Sequence, residues 1–249
     1  MNPPVIHDLP PMAPPVTVLG DVHLSAREPD VVAAFEAALS TLAGGGGTLV
    51  ILGDLFDAWY GPPQALEAFS RRIVERIAEA RAAGLAVVFM PGNRDFLVGP
   101  ELGVEIWPDP VRTTWGKRRV VMTHGDLLCT SDRGYQAMRR VLRGPGGRPR
   151  WLTQAIPSSV RRRLATGLRS VSKRQVARKP KAIMDIDYGE AVRWLQVYEA
   201  DVLVAGHVHT GVHHRLDGKD VLVLKDWERG GGVVRFDARG IRLVKPDVG

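Results

Sequence analysis

Five short apolar runs along the chain end alike, in a glycine beside a side chain able to hold a cation. They are Val16-Thr17-Val18-Leu19-Gly20-Asp21-Val22-His23, Thr48 to Leu52 followed by Gly53-Asp54, Val87-Val88-Phe89-Met90-Pro91-Gly92-Asn93, Val120-Val121-Met122-Thr123-His124-Gly125-Asp126, and Val202-Leu203-Val204-Ala205-Gly206-His207-Val208-His209. Glycine at such an ending lets the backbone turn tightly, and the polar side chain then projects beyond the carboxyl end of a strand, where open α/β sheets gather ligands. Helical patterns lie between the runs. After Pro29-Asp30, the positions Val31, Val32, Phe35, Ala38, Leu39 and Leu42 follow i, i+3, i+4, i+7 spacing until Gly44 to Gly47 stop them. Pro62 to Ala83 reads as one long amphipathic helix with Leu66, Phe69, Ile73, Ile77 and Ala80 on one face, ended by Gly84. Ile183 to Val197 reads as another, packing through Met184, Ala191 and Leu195, with Trp194 a further candidate for that side. Val221 to Leu224, Gly232 to Phe236 and Ile241 to Val244 predict a meander of short strands completing a second sheet, with His213 and His214 as exposed strand residues.

The five endings supply seven side chains: Asp21, His23, Asp54, Asn93, His124, His207 and His209. They mix carboxylate and amide oxygen with imidazole nitrogen, which suits manganese, iron or zinc better than an all-oxygen calcium cage. Seven ligands exceed what one catalytic ion takes, whereas two ions roughly 3.5–4 Å apart that share a carboxylate use them all. A single Gly-Asp or Gly-His is an ordinary turn, but five in series, including Asp-x-His and His-x-His, are not. Positions 207 and 209 of an extended segment point the same way. Arg94, next to Asn93, offers a planar donor fork to a phosphoryl oxygen. Asp57 is read either as a partner for a metal-ligating imidazole or as a cap on the next segment. Trp59 and Tyr60 fall near the mouth of the site, with core packing as their expected role.

A chain of 249 residues, 45% of them hydrophobic, is long enough for one substantial core. One α/β domain over residues 16–249 with an insertion is therefore expected. The single cysteine, Cys129, forms no internal disulfide and points to a reducing cytosol. Met1 to Pro15 holds six prolines and lacks the charge and apolar pattern of a signal peptide, so it reads as a flexible leader.

Charge is distributed unevenly. Gln136 to Met184 contains fourteen Lys and Arg and no acid, so a chain of net charge +7 is a body of −7 carrying one basic insert. Within that insert Met138, Val141, Leu142, Trp151, Leu152, Ile156, Val160, Leu164 and Leu168 recur at helical spacing. This predicts a helical lid over about residues 131–182 that faces an anionic partner: phospholipid head groups, nucleic acid, or an anionic substrate at a membrane. Trp151 is the only tryptophan there and Tyr135 sits at its edge, so the aromatic platforms of a nucleic-acid binder are missing. Neither nucleic acid nor an obligate protein partner is expected.

Gly20-Asp21-Val22-His23, Gly53-Asp54-x-x-Asp57, Gly92-Asn93-Arg94-Asp95, His124 and Gly206-His207-Val208-His209 together resemble the calcineurin-like metallophosphoesterases. Arg94 stands where most of that superfamily has histidine. With His124 to Thr130, Tyr135-Gln136 and Ile183-Met184-Asp185, it narrows the resemblance to the branch acting on UDP-2,3-diacylglucosamine, an acylated UDP-sugar, in lipid A biosynthesis. The resemblance implies a four-layer αββα sandwich with an inserted helical lid, two Mn²⁺ ions, and hydrolysis of a pyrophosphate to UMP and 2,3-diacylglucosamine 1-phosphate. It assigns Asp21, His23, Asp54 and His209 to one ion, and Asp54, Asn93, His124 and His207 to the other. Arg94, Asn93 and His124 become catalytic residues, with Arg94 on the attacked phosphoryl group, while Tyr135, Arg169, Ser172 and Lys179 hold the sugar phosphate. A cytoplasmic enzyme bound peripherally to the anionic inner-membrane surface is implied. One departure is Ser131-Asp132, where that branch has two acids. A related acyl-nucleotide substrate, a broader nucleotide phosphodiesterase and a basic nuclease stay open as alternatives.

Overall fold

The computed structural model describes residues 3–143, 157, 160 and 185–247. Two six-stranded sheets form the body. The first has the order β12-β11-β2-β3-β4-β5, from β2 (Val16–Leu19), β3 (Thr48–Leu52), β4 (Ala86–Met90), β5 (Glu105–Ile106), β11 (Val233–Asp237) and β12 (Gly240–Val244). The second has the order β1-β6-β7-β8-β10-β9, from β1 (His7–Asp8), β6 (Val111–Trp115), β7 (Arg118–Thr123), β8 (Val202–Ala205), β9 (Thr210–Leu216) and β10 (Lys219–Lys225). Strands β2 to β5 run parallel, as do β7, β8 and β10.

Strand alternation explains why the runs are apolar throughout. Val18, Val50, Leu52, Val88 and Met90 face Val120, Met122, Val202, Val204, Leu222 and Leu224 between the sheets. Their neighbours Leu19, Leu49, Ile51, Val87 and Phe89 pack against α1 (Pro29–Gly45) and α2 (Ala68–Ala82). On the far side, Val121, Leu203, Val221 and Val223 pack against α4 (Tyr188–Val197). Both faces of each central strand are buried, giving the layers α-β-β-α. α3 (Arg133–Arg143) opens the expected lid. The remaining helices expected in the insert lie outside the described residues, as does Met184.

Four sequence expectations change, the first being that the helix expected from Ile183 begins only at Tyr188, where Asp187 caps it. The helix expected from Pro62 begins only at Ala68, because Gln64 turns back to bond Ala58 O and Tyr60 N, winding Pro62–Leu66 as a 3₁₀ turn. Glu67 then takes an extended conformation and leaves Leu66 78% exposed instead of on the packed face. The tail strands do not share one sheet. β10 inserts beside β8, and a turn at Trp227–Arg229 carries the chain over to pair β11 with β2. Finally, the proline-rich stretch expected to be a flexible leader runs along the second sheet's edge. There His7–Asp8 pair with β6, Arg112 holds Asp8 at 2.6 Å, and Thr113 Oγ1 donates to Pro10 O at 2.6 Å.

Candidate metal centre

The ends of β2, β3, β4, β7 and β8 converge where the two sheets meet. Asp21, His23, Asp54, His207 and His209 all have φ between 51° and 71°, in the left-handed region; among the described residues the only other non-glycine examples are Glu199 and Asp217. Each such residue costs about 1–3 kcal/mol of strain and persists only where the surroundings enforce it. The flanking glycines make room. A Cβ on Gly92 would collide with the Asp54 carboxylate, and one on Gly206 with that of Asp21.

Two groups of donors emerge, Asp21 with His23 and His209, and Asp21 with Asp54 and His124; within each, the ligand atoms lie within 4.8 Å of one another. Asp21 is common to both groups, while Asp54, expected as the bridge, lies in the second. Asn93 Oδ1 stands 3.0 Å from both His124 Nε2 and His207 Nδ1. His124 Nδ1 lies 2.9 Å from the carbonyl of Leu52, which can only accept, so Nδ1 carries the proton and Nε2 presents a lone pair. That lone pair faces an amide oxygen. His23 Nε2 and His209 Nε2 also meet at 3.3 Å, and His23 Nδ1 is a buried nitrogen without a hydrogen-bond partner. Acceptors converging on acceptors call for cations, and this mixed oxygen and nitrogen set fits divalent metal ions.

The electrostatics agree. Burial opposes ionisation of Asp21, but the contact with His209 first, and then the imidazoles of His124 and His23 around it, hold its carboxyl well below the usual range. Burial also works against the Asp54 carboxylate, yet His124, His23 and Arg94 keep it low. Burial first, and then Arg94 beside His23 and the His124 ring beside His207, push these two imidazoles down to about 4, leaving neutral rings able to ligate. For His209 burial is overcome by the carboxylates of Asp21 and Asp226, which raise it to about 10. Positive charge is thus favoured between those carboxylates.

Supporting residues complete the picture. Asp95, fully buried, accepts the backbone N–H groups of Gly92 at 2.9 Å, Asp54 at 3.1 Å and Leu55 at 2.7 Å, clamping two ligand loops together. Burial, and then the charge of Asp54, push its carboxyl up to about 7. Arg94 turns away from its neighbour Asp95 towards Asp57 at 2.9 Å and Asp54 at 3.4 Å. Asp57 therefore has a role outside the two read from sequence. Asp226 lies 3.4 Å from His209 Nδ1 and orients that ring. Sequence reading passed over it, although the run Val221 to Leu224 also ends in an acid, one residue late. Trp59 and Tyr60 are buried core residues, Trp59 packed on Phe56 with ring centroids 4.7 Å apart. Tyr135 donates to Asp126 at 2.6 Å and sets its ring 5.7 Å from that of His207. Arg169, Ser172 and Lys179 lie outside the described residues.

Paired sheets delivering acids and imidazoles from five strand ends to one cation-attracting cluster define the class, a metallophosphoesterase. Residues 14–211 match the calcineurin-like phosphoesterase family, and the chain belongs to it. Its relatives include proteins named UDP-2,3-diacylglucosamine hydrolase. That of Azotobacter vinelandii is 38% identical over 91% of this chain and 96% of its own length. The Pseudomonas putida protein is 36% identical over 92% and 97%, and that of Pseudomonas aeruginosa 36% over 91% and 97%. Similarity to solved structures is shallower: an uncharacterized protein of Streptococcus pneumoniae, described as a predicted phosphoesterase, gives a TM-score of 0.44 at 16% identity over 92% of this chain and 86% of that one. The family assignment accordingly stands on the sequence relatives.

Proposed function

We propose that this chain hydrolyses the pyrophosphate bond of UDP-2,3-diacylglucosamine, giving UMP and 2,3-diacylglucosamine 1-phosphate in lipid A biosynthesis. The observation that carries this reading is the end-to-end similarity to proteins of that name, in a chain whose donor cluster has Arg94 at its rim. Asp21, His23, Asp54 and His209 would hold one divalent cation, and Asp54, Asn93, His124 and His207 a second, both Mn²⁺ in this reading. Bound there, the pair supplies a water acidified toward neutral pH and a clamp on phosphoryl oxygens.

The chain's own residues orient the reaction. The water oxygen gives up one proton to solvent as it bonds to one phosphorus, the bridging P–O bond breaks, and the bridging oxygen departs with the other phosphate. Negative charge spreads over the phosphoryl oxygens as this happens. Arg94 is held by Asp57 through one guanidinium nitrogen, so its other N–H groups are directed without reorganisation at the moment of reaction. Tyr135, beside His207, serves the sugar-phosphate side.

The basic stretch would meet the anionic inner-membrane surface from the cytoplasm, where a two-chain lipid substrate resides. Among the described residues no helix is long and apolar enough to cross a membrane. The test is turnover, with Mn²⁺, of the acylated UDP-sugar against bis-p-nitrophenyl phosphate. Preference for the acylated UDP-sugar supports the reading, and activity confined to the small diester overturns it.

A further inference from the structure

α3 turns one face towards the loop that follows His124, and three of its side chains grip that loop. Tyr135 OH donates to Asp126 Oδ2 at 2.6 Å. Gln136 Nε2 donates to the carbonyls of Asp126 at 2.7 Å and Cys129 at 3.1 Å. Arg139 reaches furthest: its Nε donates to Asp126 Oδ2 at 2.9 Å and its Nη2 to Asp109 Oδ2 at 3.2 Å. The Arg139 side chain is only 12% exposed, and those of Asp126 and Asp109 0% and 5%. Asp109 in turn accepts, on its other oxygen, the backbone N–H of His124 at 3.2 Å and the hydroxyl of Thr123 at 2.7 Å.

Each of the two acids therefore holds a different part of the site. Asp109 fixes the backbone of His124, and Asp126 fixes the ring of Tyr135. Buried carboxylates this close to one guanidinium depend on it, because a charge taken out of water persists only when paired and hydrogen-bonded. The fork of an arginine satisfies two acceptors at fixed separation, which the single ammonium of lysine cannot do.

We propose that Arg139 is a positioning residue that sets His124 and Tyr135 in register with each other through Asp109 and Asp126. The first link concerns the metal centre and the second the substrate, so this inference rests on the reading above for the role of Tyr135. A residue behind the ligand loop thereby joins two functions that the sequence places on separate elements, the end of β7 and the start of the insert.

The experiment compares Arg139→Met, Arg139→Lys and Arg133→Met with the wild-type chain; Arg133 is an exposed residue of the same helix and controls for lost charge. Mn²⁺ is titrated calorimetrically, and kcat and KM are measured on the acylated UDP-sugar. In Arg139→Met one of the two Mn²⁺ sites, the one that takes His124, should lose roughly 10–100-fold in affinity, the range seen when the support of a ligand is removed, while the other site is unchanged. KM should rise with it. Arg139→Lys should restore part of both, and Arg133→Met neither. Two sites of wild-type affinity with unchanged KM in Arg139→Met would overturn the proposal, as would an equal loss in Arg133→Met. Should Arg139→Met not fold, Arg139→Lys carries the test alone, and wild-type behaviour in it overturns the proposal. The titration needs no substrate, so a chain that prefers another substrate would refute the earlier reading while the ion measurement still decides this one.

Discussion

Arg94 and Asp57 form an ion pair of 2.9 Å, and the same guanidinium stands 3.4 Å from Asp54 in the donor cluster. Asp57 is thereby the residue that aims Arg94. Arg94→Ala should lower kcat by roughly 10²–10³, the usual loss of one preorganised transition-state donor, with both ions retained. Asp57→Asn should cost less, since the arginine survives with its direction loosened. The double variant should be no slower than Arg94→Ala, because residues acting as a unit are not additive. Additive losses in kcat would show that Asp57 acts independently.

That pair marks a limit of what the chain discloses before folding. Strand ends, helices α1 and α4 and the seven ligand-type residues were legible because each is a local pattern: a run, a period, a glycine beside an acid or imidazole. Asp57, Asp95, Asp109 and Asp226 were not, because their partners stand far away in sequence. Asp95 illustrates the point. It stands next to Arg94 in sequence, with no local pattern to mark a role, yet it is fully buried and clamps backbone N–H groups of two separate loops. Edge strands β1 and β5, only two residues long, lack the length for any period to appear. The crossing of the tail between sheets was illegible for another reason: β10 and β11 are equally apolar, and neighbouring strands decide which sheet each joins.

Asp54 accepts the backbone N–H of Arg94 at 2.9 Å and stands 3.8 Å from His124. Asp54→Asn should abolish turnover and reduce the metal content to one ion or fewer, since two cations share that carboxylate in the proposed arrangement. Elemental analysis finding two tightly held ions in the variant would assign the bridging role to Asp21, the acid common to both donor groups.

Asp226 should matter beyond its position as an acid one residue past β10. It orients His209 through Nδ1 and also accepts the backbone N–H of Arg229 at 2.9 Å, so the ring is tied to the turn that carries the chain between sheets. Asp226→Asn keeps an acceptor for that turn but weakens the hold on the imidazole. Metal affinity should fall by roughly 10–100-fold, read by titration with Mn²⁺, while the thermal midpoint of the metal-free protein shifts little. An unchanged affinity would reduce Asp226 to a turn residue.

The basic stretch can be tested without reference to its conformation. Because Gln136 and Arg139 brace the His124 loop, a replacement should leave α3 intact and begin after Arg143. Exchanging residues 144–181 for a short Gly/Ser linker removes eleven Lys and Arg. Each cation near an anionic leaflet contributes about 1 kcal/mol, lost as salt screens it. The variant should therefore release anionic vesicles, lose activity on the acylated UDP-sugar and keep hydrolysing a small diester. Near wild-type turnover of the lipid substrate would remove the insert from the mechanism.

Asp187 supplies a stability test tied to pH. It caps α4 by accepting the Glu190 N–H at 3.1 Å and accepts the Thr130 hydroxyl at 2.7 Å, fastening that helix to the segment after His124. The Thr130 hydroxyl first, and then the helix N–H, hold its carboxyl below the usual range. A carboxyl lowered by folding stabilises the native chain above its unfolded pKa, and the contribution disappears as pH falls through the folded pKa. Asp187→Ala should thus cost about 1 kcal/mol at neutral pH, typical of a lost N-cap. The gap between the two thermal midpoints should be constant from pH 6 to 8 and narrow once pH drops below about 4, the ordinary aspartate range. A gap that widened on acidification would reverse the sign and show that the carboxyl is held in its protonated form.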